Sequence, residues 1–315
     1  MRRAPARYTV IFQDGSSLEA RAKRTNALEA RFYAAAGSGV PVALPEALFT
    51  EEAGADGLVI YRSLPPGKPQ GEWTRADARA VIEDLAALHA AFWQAPPAGI
   101  EPVIEHLREE LELARDGVSI LLAMGGWPGF LAPAVLGQME MLLADENRLL
   151  APLRGLPQTL LHGDPWLPNW ILLPGRRVLI DWQTAVSGPG ICDLAYLVEF
   201  SGEAGAWPEP GPGEALNLYK ACLLERLPSG EHAEARAVVN ACDAASVVLV
   251  LARWPAYAAR TLAPLRRSPA LVRMWRALPV AARAWVGARA AWASPEYYRR
   301  AFDRFSERAR RIYGC

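Results

Sequence analysis

The chain has 315 residues, 34 basic and 34 acidic side chains, a formal net charge of zero and 51% apolar residues. This is the composition of an ordinary globular chain with one large or two modest domains, and it gives no reason to expect nucleic acid as a partner. Met1 to Pro5 is basic, but no apolar stretch follows it, and the longest apolar run, Ala244 to Ala252, is too short to span a membrane. Cys192, Cys222, Cys242 and Cys315 form no CxxC pair, and the first three sit among apolar neighbours. Buried thiols in a reducing compartment, hence a cytoplasmic location, are the expectation.

In chain order, Tyr8 to Phe12 reads as a strand, Asp14-Gly15 as a hairpin turn and Leu18 to Arg24 as the alternating partner strand. Asn26 to Ala36 reads as a helix stopped by Gly37, and the Pro41 and Pro45 stretch as a connector. Leu58 to Tyr61 is a short buried strand, and Pro65-Pro66-Gly67 then breaks the pattern like a hinge. Thr74 to Trp93 predicts a helix: Thr74 and Asp77 make a capping box, and Val81, Leu85, Leu88 and Phe92 share one face. Further helices are expected over Ile104 to Leu113 and Ala134 to Leu150. The remainder from Asp193 to Tyr313 reads as largely helical, punctuated at Pro208 to Gly213, Pro228 to Gly230 and Pro264 to Pro269. A short β-rich head followed by a long helical body makes an α+β fold.

The most informative stretch is Leu161 to Leu197. It holds His162-Gly163-Asp164-Pro165-Trp166-Leu167-Pro168-Asn169, and twelve positions beyond Asn169 the run Val178-Leu179-Ile180 delivers Asp181. An Asp, an Asn five residues on and an Asp at a strand end fit magnesium-dependent phosphoryl transfer. Asn169 to Leu173 and Arg177 to Asp181 read as two strands around a Pro174-Gly175-Arg176 turn. Symmetry about Gly175 would set Asn169 opposite Asp181, where an amide oxygen and a carboxylate could share a metal. Asp164 suits a base that takes the proton of an attacking hydroxyl, and equally an Asx-turn ahead of Pro165. Asn169 and Asp181 suit a hard cation that prefers oxygen donors, and equally turn and strand-end capping. His162, beside a buried strand end, is assigned no chemistry.

His162 to Asn169 resembles the catalytic loop of the aminoglycoside phosphotransferase and choline kinase group. Ile180-Asp181-Trp182-Gln183, Gly188 to Ala195 and Leu85 to Trp93 resemble its ecdysteroid kinase-like branch. The resemblance is good over Leu58 to Leu197 and weak in the head. It implies a two-lobed protein-kinase-like fold with ATP between the lobes. The small β-rich lobe would occupy residues 1–64, with the hinge at Tyr61, Arg62, Ser63 and Leu64. The large helical lobe, residues 65–315, would carry the catalytic loop and the acceptor site. The family's base would fall on Asp164, its Mg2+ ligands on Asn169 and Asp181, and a brace to the catalytic loop on Asp193, which by itself reads as a helix N-cap.

Lys23 is one of three lysines and precedes a helix carrying Glu29, an arrangement that suits a phosphate-positioning Lys–Glu pair. A solvated hairpin edge for Lys23 and a cap for Glu29, three residues after Asn26, are the plainer alternatives. No glycine precedes Gly15. A first strand and its glycine-rich phosphate loop are therefore expected to be cut short, or replaced by the Asp14-Gly15-Ser16-Ser17 turn. Arginines are frequent after Arg253, as in Arg266-Arg267, Arg299-Arg300 and Arg308 to Arg311, and read as a solvated basic face, with an anionic acceptor or a weak nucleic-acid contact as the lesser alternative. Trp254, Trp275, Trp285 and Trp292 read as core. The expected function is ATP- and Mg2+-dependent phosphate transfer to a hydroxyl of a small, neutral or anionic and partly hydrophobic molecule. The rival from another class is a catalytically weak, nucleotide-binding pseudokinase that serves as an interaction module.

Overall fold

The structure, a computed structural model, describes residues 5–11, 13–35, 39–123, 131–201, 211–266 and 295–315, with isolated positions between 270 and 279. Phe12, Gly37, Pro208, Arg267, Trp275, Trp285 and Trp292 lie outside the described residues.

The head is a four-stranded antiparallel sheet in the order β1-β2-β4-β3. The strands are β1 (Ala6–Ile11), β2 (Ser17–Asn26), β3 (Ala47–Ala53) and β4 (Asp56–Arg62). Gly15, at φ +80°, makes the turn between β1 and β2. β3 was not foreseen. It is an edge strand rich in Glu and mostly exposed, so its sequence carries no apolar alternation, and its pairing with β4 is what makes it a strand.

Helix α1 (Ala27–Ala35) follows β2, capped by Asn26, whose Oδ1 accepts from the Glu29 N–H at 3.0 Å. Its Phe32 ring stacks on Trp182 at 4.1 Å, which docks the head onto the body.

The body begins with α2 (Arg75–Ala91), where the Thr74–Asp77 capping box forms as expected and Val81, Leu85 and Leu88 are fully buried. α3 (Val103–Ala123) runs ten residues beyond the expected end because Ala114, Val118 and Leu121 continue its apolar stripe. The helix expected over 134–150 is two, α4 (Pro133–Ala144) and α5 (Glu146–Leu150). Asp145 divides them by accepting from the Arg148 N–H and so capping a new start. Then come β5 (Thr159–Leu161), β6 (Trp170–Leu173), β7 (Arg176–Leu179) and β8 (Val186–Gly188), paired as β5-β8 and β6-β7. Arg177 on β7 forks onto Asp84 of α2 at 2.5 and 2.8 Å and ties the β6-β7 hairpin to that helix.

The helices α6 (Ile191–Ser201), α7 (Pro212–Arg226), α8 (His232–Asn240), α9 (Cys242–Arg266) and α10 (Pro295–Tyr313) complete the described chain. α9 runs through Pro264 and ends at Arg266, inside the stretch from Pro264 to Pro269 where a break was expected; residues 267–269 lie outside the described residues. The run of residues 244–252 lies in α9 and is buried throughout, the polar Ser246 included, so the run is core. α3 and α9 approach to backbone contact: a Cβ on Gly117 would lie 1.7 Å from the Pro255 carbonyl oxygen. No single described helix is long and apolar enough to cross a membrane; one pair, 229–240 with 242–257, meets the length and composition but is bent by 43°. All four cysteines are free thiols, and burial pushes Cys242 up to about 12 and Cys192 higher still.

Candidate active site

Two loops and one strand bring the candidate residues together. The loop after β5 begins at His162, which is fully buried against Trp182, and its Nε2 bonds the Ile180 carbonyl at 2.9 Å. The Asp164 N–H donates to its Nδ1 at 3.2 Å. Both ring nitrogens are thus occupied by backbone, so His162 is a spacer between the two loops. Gly163 stands at φ +79°, and a Cβ there would lie 2.1 Å from the Thr184 carbonyl oxygen. Only glycine meets both demands. Asp193 lies inside the first turn of α6 rather than at its cap. Its two oxygens accept from the His162 and Gly163 N–H groups at 2.7 and 2.9 Å, so it braces the loop.

Asp164, half-buried, receives the Asn169 side chain: Asn169 Nδ2 donates to the Asp164 carbonyl at 2.7 Å and to its Oδ2 at 3.3 Å. With that nitrogen committed, oxygen is the atom Asn169 has left to offer a cation. The expected Asn169–Asp181 pairing does not occur. The hairpin register is Trp170↔Leu179, one residue tighter than symmetry about Gly175, and Ile180 N–H bonds the Asn169 carbonyl at 2.9 Å. The tightening has a local cause. The turn has two residues, Pro174 and Gly175 (φ +74°), and this combination suits a compact type II turn. Asp181 falls beyond the strand, in the left-handed region at φ 69°, ψ 57°, opening the turn Trp182–Thr184. For a non-glycine residue this backbone is uncommon and costs on the order of 1 kcal/mol.

Lys23 on β2 contacts the acid expected of it, Glu29 Oε2 at 2.6 Å, and also one that was not expected of it, Asp181 Oδ1 at 2.5 Å. Glu29 is nearly fully buried and also accepts from Thr25 Oγ1. Asn26, besides capping α1, donates from Nδ2 to the Gln183 carbonyl at 2.8 Å and links α1 to the segment just after Asp181.

A cleft of about 820 Å³ opens beside this cluster, lined by β2 at Arg21, by Tyr61, Ser63 and Leu64, by Gly67, and by Ile180. That is the size of a small-ligand or nucleotide site. Of the hinge residues, Tyr61, Ser63 and Leu64 line it; the Arg62 side chain turns away to Glu46 at 2.5 Å. Asn169 and Asp181 offer a cation only oxygen. Among the described residues no group of three or more His, Cys, Asp or Glu is placed to hold a metal. Such a donor set suits Mg2+, which takes one or two protein ligands and completes its shell with phosphate and water.

Around Asp164 the structure adds groups that the sequence did not single out. The Tyr196 hydroxyl is hydrogen-bonded to Asp164, and burial, then the Asp164 charge, push its pKa well up, so it stays protonated and donates. Arg253 packs over the Tyr196 ring at 5.3 Å and pairs with Glu110 at 2.6 Å. No local pattern marked them, because α3, α6 and α9 meet only in the folded chain.

Solved structures share the fold, among them two that align over nearly the whole chain. An aminoglycoside phosphotransferase from Alicyclobacillus acidocaldarius aligns over 100% of this chain and 93% of its own, with 14% identity and a TM-score of 0.53. The amicoumacin kinase hAmiN, in complex with AMP-PNP, Ca2+ and Ami, aligns over 95% and 85%, with 13% identity and a TM-score of 0.51. No curated protein matches the chain. Residues 4–219, more than half of the sequence, match the phosphotransferase enzyme family. The chain that gathers Lys23, Asp164, Asn169 and Asp181 beside one cleft belongs to that family.

Proposed function

We propose that this protein is an ATP- and Mg2+-dependent phosphotransferase that moves the γ-phosphate of ATP to a hydroxyl of a small molecule. One observation carries the reading: Lys23 contacts Glu29 and Asp181 together, while Asn169 contacts Asp164, and the chain neighbours of Asp181 and Asn169, Ile180 and Trp170, line the cleft. Residues 1–64 act as the nucleotide lobe and 65–315 as the acceptor lobe. ATP takes the cleft with its base against Tyr61, Ser63 and the Arg62 backbone and its phosphates toward Lys23, which Glu29 holds in place. Asn169 and Asp181 would hold Mg2+, which when bound supplies neutralisation of phosphate charge. Asp164 orients the acceptor hydroxyl and takes its proton as that oxygen bonds to the γ-phosphorus and the bond to the ADP oxygen breaks. A cytoplasmic location is part of the proposal.

The acceptor proposal narrows. Three arginines of α10 are answered by acids from upstream helices, Arg304 and Arg308 by Glu199 and Arg311 by Asp243, so these three do not make an anion site. A neutral, partly hydrophobic alcohol is the class we favour, in keeping with the motif resemblance to the ecdysteroid kinase-like branch.

The test is ATP turnover across a panel of small alcohols and aminoglycosides, with product mass measured. Asp164→Ala is expected to abolish transfer and keep Mg-ATP binding; Asp181→Ala is expected to weaken metal-dependent nucleotide binding as well. Wild-type turnover in Asp164→Ala would remove the base from that residue. Nucleotide binding with no transfer to any alcohol would favour the pseudokinase, and a clear preference for a polyamine would sink the acceptor class.

A further inference from the structure

Arg253 lies on α9, downstream of the residues that match the family, yet it reaches the loop that carries Asp164. Its Nη2 donates to the Gly163 carbonyl at 3.3 Å, while Nη1 donates to Glu110 Oε1 at 2.6 Å. The Gly163 carbonyl and the Asp164 N–H belong to one peptide unit, and the N–H is held by His162 Nδ1. Arg253 therefore completes the fixing of the peptide that enters Asp164. A second route ends on the same residue. The guanidinium lies over the Tyr196 ring, and the Tyr196 hydroxyl is bonded to the Asp164 carboxylate.

We propose that Arg253 is a positioning residue for Asp164, fixing its backbone through Gly163 and its carboxylate through Tyr196. The proposal rests on the reading of Asp164 as the group that takes the acceptor's proton. Misplacing such a group by about 1 Å costs roughly a hundredfold in rate, so a device that fixes both ends of it has a measurable consequence. Glu110 sets the guanidinium. It is 4% exposed on α3, and the backbone contact of Gly117 with Pro255 fixes the register of α3 against α9. Arginine is the residue for this place. Its planar fork serves Glu110 and Gly163 at once and stacks on Tyr196, whereas a lysine ammonium is a point charge without a flat face.

The experiment compares wild type, Arg253→Lys and the double variant Arg253→Met/Glu110→Gln, which removes both charges together and leaves neither buried alone. Amide hydrogen exchange over residues 159–170 needs no acceptor. The second readout is kcat and the KM for ATP with an alcohol that the wild type phosphorylates. We expect exchange of the Gly163 and Asp164 amides to rise in both variants while α2 stays protected. We expect kcat to fall about tenfold in Arg253→Lys and about a hundredfold in the double variant, with the KM for ATP unchanged. If the double variant unfolds, Arg253→Lys, which keeps a cation opposite Glu110, decides. Wild-type exchange and kcat in the variants overturn the proposal, as does faster exchange with unaltered kcat. If the wild type transfers no phosphate, the phosphotransferase reading fails by itself, and exchange at Gly163 still scores whether Arg253 holds the loop.

Discussion

At the scale of single residues, the loop from His162 to Asn169 is held by bonds that each use a particular atom. Gly163 is the most constrained. It combines φ +79° with a hydrogen-sized gap to the Thr184 carbonyl, and that neighbour is backbone that cannot rotate away. Gly163→Ala is therefore expected to shift the loop and take Asp164 off its hydrogen bonds, with a loss of stability of about 2 kcal/mol or more. A denaturation midpoint and a transfer assay read the two effects separately. An alanine variant as stable and active as wild type would show that the loop accommodates a side chain. The His162 reading belongs to the same scale. A buried imidazole with both nitrogens on backbone partners is structural, as its position beside a buried strand end suggested.

Among the elements, α2 shows how a local signal becomes a measurable property. Burial alone would raise the Asp77 carboxyl, but the Lys68 ammonium at 2.7 Å, with the Thr74 N–H and hydroxyl, outweighs it and holds the pKa at about 2. The folded value lies below the ordinary 3.8. The contribution is thus complete above about pH 4 and is lost as pH falls through about 2. Thr74→Ala removes one side of the box and is expected to cost about 1 kcal/mol at neutral pH. Urea titrations at pH 7 and pH 2.5 check both points: Asp77→Asn should differ from wild type at the first pH and converge toward it at the second. An equal gap at both would mean that the carboxylate charge is not what stabilises the helix start.

On the scale of the whole molecule, α10 is bound by charge to α6 and α9, the helices that reach the Asp164 loop. Glu199 on α6 is almost fully buried and accepts from Arg304 and Arg308, and Arg308 and Arg311 also meet Asp243 on α9. The Tyr297 hydroxyl donates to the Glu199 carbonyl. Since α6 also carries Asp193 and Tyr196, the C-terminal helix buttresses the helix that braces the loop. Glu199→Gln leaves Arg304 without its acid in a half-buried place and is expected to destabilise the protein by about 3 kcal/mol. Thermal melting at constant protein concentration measures it. A midpoint within error of wild type would mean that packing, not the ion pairs, holds α10.

What could be read before folding was whatever depends on neighbours in sequence. The capping box at Thr74, the hairpin turn at Asp14-Gly15, the brief strand ending at Tyr61 and the spacing of Asp164, Asn169 and Asp181 are all local, and so are the family motifs. Lys23 and Glu29 were legible because strand and helix are adjacent in the chain, and their distance from Asp181 was not. The hairpin register went wrong by one residue because alternation gives strands but not the length of the turn between them. β3 escaped because an exposed edge strand needs only a partner, and the α10 arginines that meet Glu199 and Asp243 were read as solvated because those acids lie about 60 to 110 residues upstream. Arg253, Glu110 and Tyr196 are the extreme case. Nothing local distinguishes them, since their place beside Asp164 is made by three helices whose crossing the close contact at Gly117 decides.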